Sequence, residues 1–308
     1  GKQYDGIIGL SGGVDSSYLL CKLHEWGVRP LAVHVDAGWN SDLAVRNIEA
    51  LCKKLDIDLH TIVIDWEAMR NVQIAFLRSG VENQDIPHDH AFFAALYSYA
   101  VKNGVRYVFH GSNYATESIL PAAWGYDAMD AAYLRAIVRR FGEGRLKNYP
   151  VVNFWKYYIY YPYIKRMNVV RPLNFIPYGK GSAIRELERD YDWHYYGGKH
   201  WESRFTKFFQ GYYLPTRFGY DKRKAHLSSL IVAGEITREE ALAEMEKPVY
   251  PPEELDADRA FVLEKLQITQ EEFGEMLASR EVAKGIPTNK ALKRLGLRVK
   301  NIAKMFSQ

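Results

Sequence analysis

Seven consecutive residues near the start of the chain, Ser11-Gly12-Gly13-Val14-Asp15-Ser16-Ser17, have the side-chain types needed to hold a phosphate. Two glycines let backbone N–H groups approach a ligand closely. Ser11, Ser16 and Ser17 can donate hydroxyls to phosphate oxygens, and Asp15 can hold a divalent cation such as Mg²⁺. The stretch lacks the lysine of a Walker loop and the spacing of a dinucleotide fingerprint, so neither terminal-phosphate hydrolysis nor dinucleotide binding is the natural inference. A second concentration of chemistry runs from Lys199 to His226. It groups the cations Lys199, Arg204, Lys207, Lys222, Arg223 and Lys224 with His200, His226 and the carboxylate of Glu202, among many aromatics. Anionic oxygens need such donors, while a solvated charged helix face is the competing reading for each residue.

The elements that would position these groups alternate. Residues Tyr4 to Leu10 end in an apolar run short enough for a buried parallel strand, and a helical pattern follows the loop from Ser16 to Trp26. A glycine-rich turn between strand and helix joins backbone donors to the positive end of the helix dipole, which suits phosphate. Further strands are expected over Pro30 to Asp36, Leu59 to Ile64, Val105 to His110 and near Val169 to Leu173. Helices are expected over Asp42 to Leu55, Trp66 to Ser79, Asp89 to Asn103 and Ser182 to Tyr191. This predicts an α/β fold, a doubly wound parallel five-stranded sheet with its crevice at the carboxyl ends of the strands. After about Trp193 helical patterns dominate, with capping boxes at Thr237/Glu240 and Thr269/Glu272 and a proline-rich break at Lys247 to Pro252. The expected division is a nucleotide-binding domain at 1–192 and a mostly helical substrate-binding and partner region at 193–308.

Composition narrows the class. The chain has 308 residues, 47% of them hydrophobic, and a formal charge of +4, which suits an anionic substrate without demanding a nucleic acid. No apolar run is long enough to span a bilayer, so a cytoplasmic protein with no membrane partner is expected. Its two cysteines, Cys21 and Cys52, sit in apolar helical patterns and read as small hydrophobes, which leaves a disulfide framework, a cysteine-only metal site and a thiol nucleophile poorly supported. The basic tail of Lys290, Lys293, Arg294, Arg298, Lys300 and Lys304 reads as a solvated face.

The Ser11 to Ser16 segment resembles the pyrophosphate loop of the ATP pyrophosphatase, or PP-loop, superfamily, whose members cleave ATP between the α- and β-phosphates and form adenylylated intermediates. The resemblance implies an adenine nucleotide alpha hydrolase-like fold. It also implies nucleotide contacts at Leu10, Ser11, Gly12, Gly13, Asp15, Ser16 and Ser17, at His34, Val35 and Asp36, at His110, Gly111, Ser112 and Asn113, and at Lys180. The tract Tyr196-Gly197-Gly198-Lys199-His200-Trp201-Glu202 through Phe218-Gly219-Tyr220-Asp221-Lys222-Arg223-Lys224-Ala225-His226, with His34-Val35-Asp36-Ala37-Gly38-Trp39 and His110 to Ser118, resembles the N-acetyl sugar amidotransferase family. Such enzymes convert an acetamido group on a nucleotide-activated sugar to an acetamidino group for bacterial surface polysaccharides or flagellar glycans. Many members begin with a short cysteine-bearing zinc-binding segment, which these residues do not include.

An amide oxygen is a weak nucleophile and its exchange for nitrogen needs activation, so the expected course is attack on the α-phosphate of ATP, loss of pyrophosphate, then displacement of AMP by ammonia. Asp15, Lys199, His200, Glu202 and Lys222 are the expected catalytic residues, with Glu202, His200 and Asp15 as unranked candidates for the base. Glu117, Arg204, Lys207, Arg223, Lys224 and His226 are expected to contact the substrate. No glutaminase is visible, since position 1 is Gly and neither cysteine sits on a nucleophile-like turn. A glutaminase partner with an ammonia-channelling, cyclase-like subunit is therefore expected. A tRNA-modifying enzyme of the lysidine or thiolation type and a non-catalytic nucleotide-binding module are the alternatives.

Overall fold

The computed structural model describes residues 3–121, 124 and 127–295. Its centre is a five-stranded, all-parallel sheet in the order β3-β2-β1-β4-β5. The strands are β1 (Gly6–Gly9), β2 (Pro30–Asp36), β3 (Leu59–Val63), β4 (Tyr107–Phe109) and β5 (Asn168–Val170). β1 is central, with Ile7 and Ile8 fully buried, as expected for a parallel strand covered on both faces. From β1 the chain winds outward through α1 (Val14–Glu25) to β2, then through α2 (Asp42–Lys54) to β3. It returns through α3 (Trp66–Ser79) and α4 (Ile86–Lys102) to add β4 on the other side of β1. The strand order therefore reverses between β1 and β4, and a crevice opens there at the strand C-termini. The loops Ser11 to Gly13 and His110 to Asn113 are the two lips of that crevice.

Beyond β4 come α5 (Tyr114–Glu117), α6 (Ala131–Phe141), a π-helical stretch at Lys156–Ile164, and α7 (Lys180–Tyr191) after β5. The remaining helices are α8 (Arg204–Phe208), α9 (Leu214–Phe218), α10 (Arg223–Val232), α11 (Arg238–Glu246), α12 (Pro252–Leu266) and α13 (Gln270–Ala278), with a second π-helical stretch at Phe209–Tyr213. One hydrophobic cluster contains Ile7 and Val33 of the sheet and Leu96 of α4 together with Phe205, Phe209, Val262 and Phe273. The helical region after residue 193 thus shares its core with the sheet.

The edge strands are shorter than the sequence patterns suggest. β5 stops at Val170 because Pro172, with no N–H to give a ladder, begins a 3₁₀ turn at Pro172–Asn174. Both helix caps after residue 193 form at the expected places. The Thr237 and Glu240 side chains close a reciprocal box, whereas Thr269 caps the Glu272 N–H at 3.0 Å without the return bond. In the basic tail, Lys293 pairs with Asp127, so that residue is not merely solvated. Arg298, Lys300 and Lys304 lie outside the described residues.

No strand was expected past Trp193, yet Ser203 makes an antiparallel bridge with Asn40, just beyond β2. The Ser41 N–H donates to Glu202 O at 2.8 Å and the Arg204 N–H to Trp39 O at 2.8 Å. Below this clasp, fully buried Trp39 packs on Phe205 and Trp66 with ring centroids 5.0 and 5.1 Å away.

Candidate active site

The Ser11 to Ser17 loop folds into a tight cradle by bonding to itself. The Ser11 hydroxyl accepts from Gly13 N–H at 3.2 Å and lies 3.2 Å from the Ser16 hydroxyl, which itself donates to Gly13 O. Gly12 has φ of +80°, the left-handed region, and a Cβ there would stand 2.6 Å from Ala44 O. Gly111 approaches from the opposite lip, where a Cβ would be 3.0 Å from Ser16 N. For Gly12→Ala, left-handed strain of about 1–2 kcal/mol adds to that clash. The expected result is a displaced loop: millimolar ATP is expected to raise the melting temperature of the unsubstituted protein and not that of the variant, and an equal rise in both would refute the assignment.

Aromatic side chains from later in the chain brace the loop. Trp193 Nε1–H donates to Gly12 O at 3.3 Å, the Tyr196 hydroxyl accepts from Val14 N–H at 3.2 Å, and the Tyr178 hydroxyl bonds Asp15. His34 on β2 donates from Nδ1 to Leu10 O at 2.9 Å, which leaves Nε2 to accept from Asn40 Nδ2 at 3.0 Å. Asp36 accepts from Gly38 N–H and Asn40, and so shapes the turn beyond β2. On the other lip His110 accepts at Nδ1 from Ser112 N–H at 3.0 Å, and burial together with nearby Arg171 pulls its imidazole down to about 4.

A cleft of about 590 Å³ lies over these lips, within the size range of small-molecule sites. Of the residues expected to contact nucleotide, Ser11, Gly13, Asp15, Ser16, His34, Val35, His110, Gly111, Ser112 and Lys180 line it. Leu10, Gly12, Ser17, Asp36 and Asn113 stand behind them; Asn113 caps α5 through Thr116 N–H at 2.9 Å, and the fully buried Ser17 hydroxyl has no hydrogen-bond partner among the described residues. The five residues expected to be catalytic, Asp15, Lys199, His200, Glu202 and Lys222, all line the same cleft, as do Glu117 and His226.

Charge is arranged unevenly along it. Lys199 donates to Thr116 O at 3.1 Å and stands 3.5 Å from Glu117. Burial raises the Asp15 carboxyl and Glu117 raises it further, against Lys199, Tyr178 and Lys180. Burial depresses the Lys180 ammonium, partly offset by Asp15, and burial with Lys199 and Lys180 brings His226 down to about 3, a neutral imidazole. Glu202 is enclosed, but His200, 3.6 Å away, and Tyr196 outweigh burial and hold its carboxyl below the usual range. His200 itself sits at φ +63°, a strained conformation that turns it into the cleft.

Four of the expected substrate contacts lie elsewhere. Arg204 pairs with Asp258 at 2.8 Å and stacks 3.5 Å from the Phe261 ring centroid. Lys207 is buried and bonded to Asp258 and Glu254. Arg223 folds back on Asp221 and on the Glu244 and Lys247 carbonyls, and Lys224 is exposed on α10 outside the cleft lining. The charges of Arg204, Lys207 and Arg223 are matched within the helical region, away from the cleft.

The sequence pattern also passed over one wall. Asp85, His88 and Asp89, at the start of α4, line the cleft. Their i, i+3, i+4 spacing puts them on one helix face, a signal present in the sequence but hidden by starting the helix at Asp89.

Known proteins add to this geometry. Residues 202–300 match the family model described as LPS biosynthesis protein WbpG-like, C-terminal domain. The chain is 42% identical over 62 residues to a tRNA(Ile)-lysidine synthase of Porphyromonas gingivalis, covering 19% of this chain and 14% of that protein. It is 30% identical over 123 residues to a tRNA(Ile)-lysidine synthase of Chlamydia pneumoniae, covering 39% and 35%. The chain therefore spans about a third or less of these curated relatives. Among solved structures it is similar to the U34-tRNA thiolase NcsA from Methanococcus maripaludis with its [4Fe-4S] cluster, at TM-score 0.40 and 14% identity over 77% of this chain and 74% of that one. Residues 202–300 thus resemble the C-terminal domain of the WbpG-like lipopolysaccharide-biosynthesis proteins, and that segment stands on the carboxyl side of a glycine–serine cradle at the switch point of the sheet.

Proposed function

We propose that the protein is an ATP-dependent amidotransferase that converts an acetamido group of a nucleotide-activated sugar to an acetamidino group, releasing AMP and pyrophosphate, in bacterial surface-glycan biosynthesis. One observation carries this reading: Glu202, Ser203, Thr206, Lys222, Ala225 and His226, all within the matched lipopolysaccharide-biosynthesis domain, line the same cleft as the phosphate loop. A domain of that family facing bound nucleotide fits a sugar substrate whose oxygen is activated there.

In the first step the acetamido oxygen attacks the α-phosphorus and the bond to the β-phosphate breaks. Charge on the departing pyrophosphate is offset by the loop N–H groups, the Ser11 and Ser16 hydroxyls, Lys180 and Lys199. Asp15, whose carboxyl burial and then Glu117 push upward beside the loop, would with Glu117 hold a divalent cation, and Mg²⁺ bound there would supply further neutralisation of phosphate oxygens. Ammonia then displaces AMP. A cytoplasmic glutaminase with a channelling subunit is the partner that would deliver it.

Pyrophosphate release tests the reading, with ATP, Mg²⁺, ammonium and a panel of nucleotide-linked acetamido sugars. The expected result is sugar-dependent release and a product lighter by the difference between O and NH. Ammonium should support turnover while glutamine without a partner should not. The lysidine synthase likeness favours a second reading on the same loop; tRNA-dependent AMP release with no response to any sugar would replace the first.

A further inference from the structure

Ammonia at neutral pH is mostly ammonium, which has no free electron pair, so an amidine-forming site needs a group that accepts its proton beside the activated carbon. We propose that Asp89 is this proton acceptor, with Asp85 as the fixed charge that tunes it and draws in the cation; the assignment rests on the amidotransferase reading.

Asp85 and Asp89 lie one turn apart, and the Asp89 N–H donates to Asp85 O at 2.9 Å. Asp85 is buried with both oxygens engaged, one by the Thr206 hydroxyl at 2.9 Å and the other by Gln210 Nε2 at 2.9 Å. These two bonds fix the position of its side chain. Asp89 lines the cleft, and its carboxyl accepts no hydrogen bond among the described residues. The charged groups that act on it are Asp85 and Glu117, which raise its affinity for a proton, and His200 and Lys222, which lower it; burial raises it most, and the net value is about 7. A carboxyl poised there takes up and gives back a proton at working pH.

The other candidates are less suited. His226 is held near 3 and His88 is depressed by burial, so neither competes for an ammonium proton. Glu202 stays ionised beside His200, and its buried Oε2 has no hydrogen-bond partner among the described residues. That oxygen is an acceptor for an N–H of the incoming cation on the wall facing the loop.

The step balances as follows. One N–H bond of ammonium breaks, its proton going to Asp89 and its electron pair staying on nitrogen. That pair forms the new C–N bond as the C–O bond to the phosphate breaks and AMP departs with the electrons. Asp89 returns the proton to water when the amidinium product leaves.

The test compares the protein with Asp89→Asn, using a panel of UDP- and CMP-linked acetamido sugars. Sugar-dependent exchange of pyrophosphate into ATP, which reports adenylylation alone, is expected to survive. Amidine formation from ammonium is expected to fall by about 10²–10³-fold. Hydroxylamine, largely neutral at the same pH, should restore turnover to within about tenfold, because it needs no proton acceptor. The unsubstituted protein should show an inflexion near neutral pH in kcat/KM for total ammonium, whereas the variant should follow free ammonia alone into alkaline pH. Asp89→Glu, which keeps a carboxyl, should retain an inflexion and covers the case in which the Asn variant does not fold. An unchanged profile in a folded Asn variant, or equal loss with hydroxylamine, overturns the proposal alone. Absence of sugar-dependent exchange in the unsubstituted protein overturns the amidotransferase reading and takes this inference with it.

Discussion

If the proposed adenylylation takes place in this cleft, Lys199→Met is expected to lower sugar-dependent pyrophosphate release by about 10²–10³-fold, the usual loss when one preorganised charge facing a reacting phosphate is removed. The ammonium bridges the Thr116 carbonyl and Glu117 and is the strongest opposing charge acting on Asp15, which burial and Glu117 push upward. Its removal takes a cation from the leaving pyrophosphate and also leaves two carboxylates facing each other. Asp15 would then hold its proton to higher pH. The acid limb of the pH–rate profile should accordingly move up, since a group with a raised pKa is charged only above that value. Pyrophosphate release across pH, with circular dichroism to establish folding, measures both effects. Turnover within threefold of the parent would place Lys199 outside the chemistry.

Asp258→Ala should destabilise the fold by about 3 kcal/mol, because it leaves Arg204 without its carboxylate beside Phe261 and leaves buried Lys207 with only the half-exposed Glu254. A fall of roughly 10 °C in melting temperature is the expected readout. Burial raises the Asp258 carboxyl, but bonds from Lys207, Tyr250 and Arg204 outweigh it and hold it low. A depressed carboxylate stabilises above its unfolded value, about 4, and that contribution disappears as pH falls through its folded value. The stability gap between parent and variant should therefore narrow at acid pH. If Arg204→Ala or Lys207→Ala instead raised KM for a sugar nucleotide with no change in melting temperature, the substrate role expected from sequence would be restored.

The sheet was legible because parallel strands are written as contiguous apolar runs. Pro-Leu-Ala-Val-His-Val-Asp gives β2 at its observed bounds, and the glycine–serine turn after β1 announces the phosphate cradle. Sequence also grouped Lys199, His200, Glu202, Lys222 and His226, which the fold brings to one wall. It misjudged Arg204, Lys207 and Arg223 because their carboxylate partners lie up to 54 residues away or fold back locally, and no local pattern reports such pairing. Nor does any local pattern show that Tyr178, Trp193 and Tyr196 would reach back to the loop. Asp85 and Asp89 were hidden for a different reason, since their meaning depends on which face of α4 is turned to the crevice.

The clasp joining residues 39–41 to 202–204 bears on how this protein can be recombined. A swap that grafts a foreign 202–300 segment onto residues 1–201 would put at risk the two backbone hydrogen bonds of this bridge and with them the placement of the carboxylate at position 202, however well the new domain folds by itself. Carrying residues 39–41 along with the graft preserves the seam. The functional module therefore has its boundary inside β2's own loop, and not at the point where the chain passes from strands to helices.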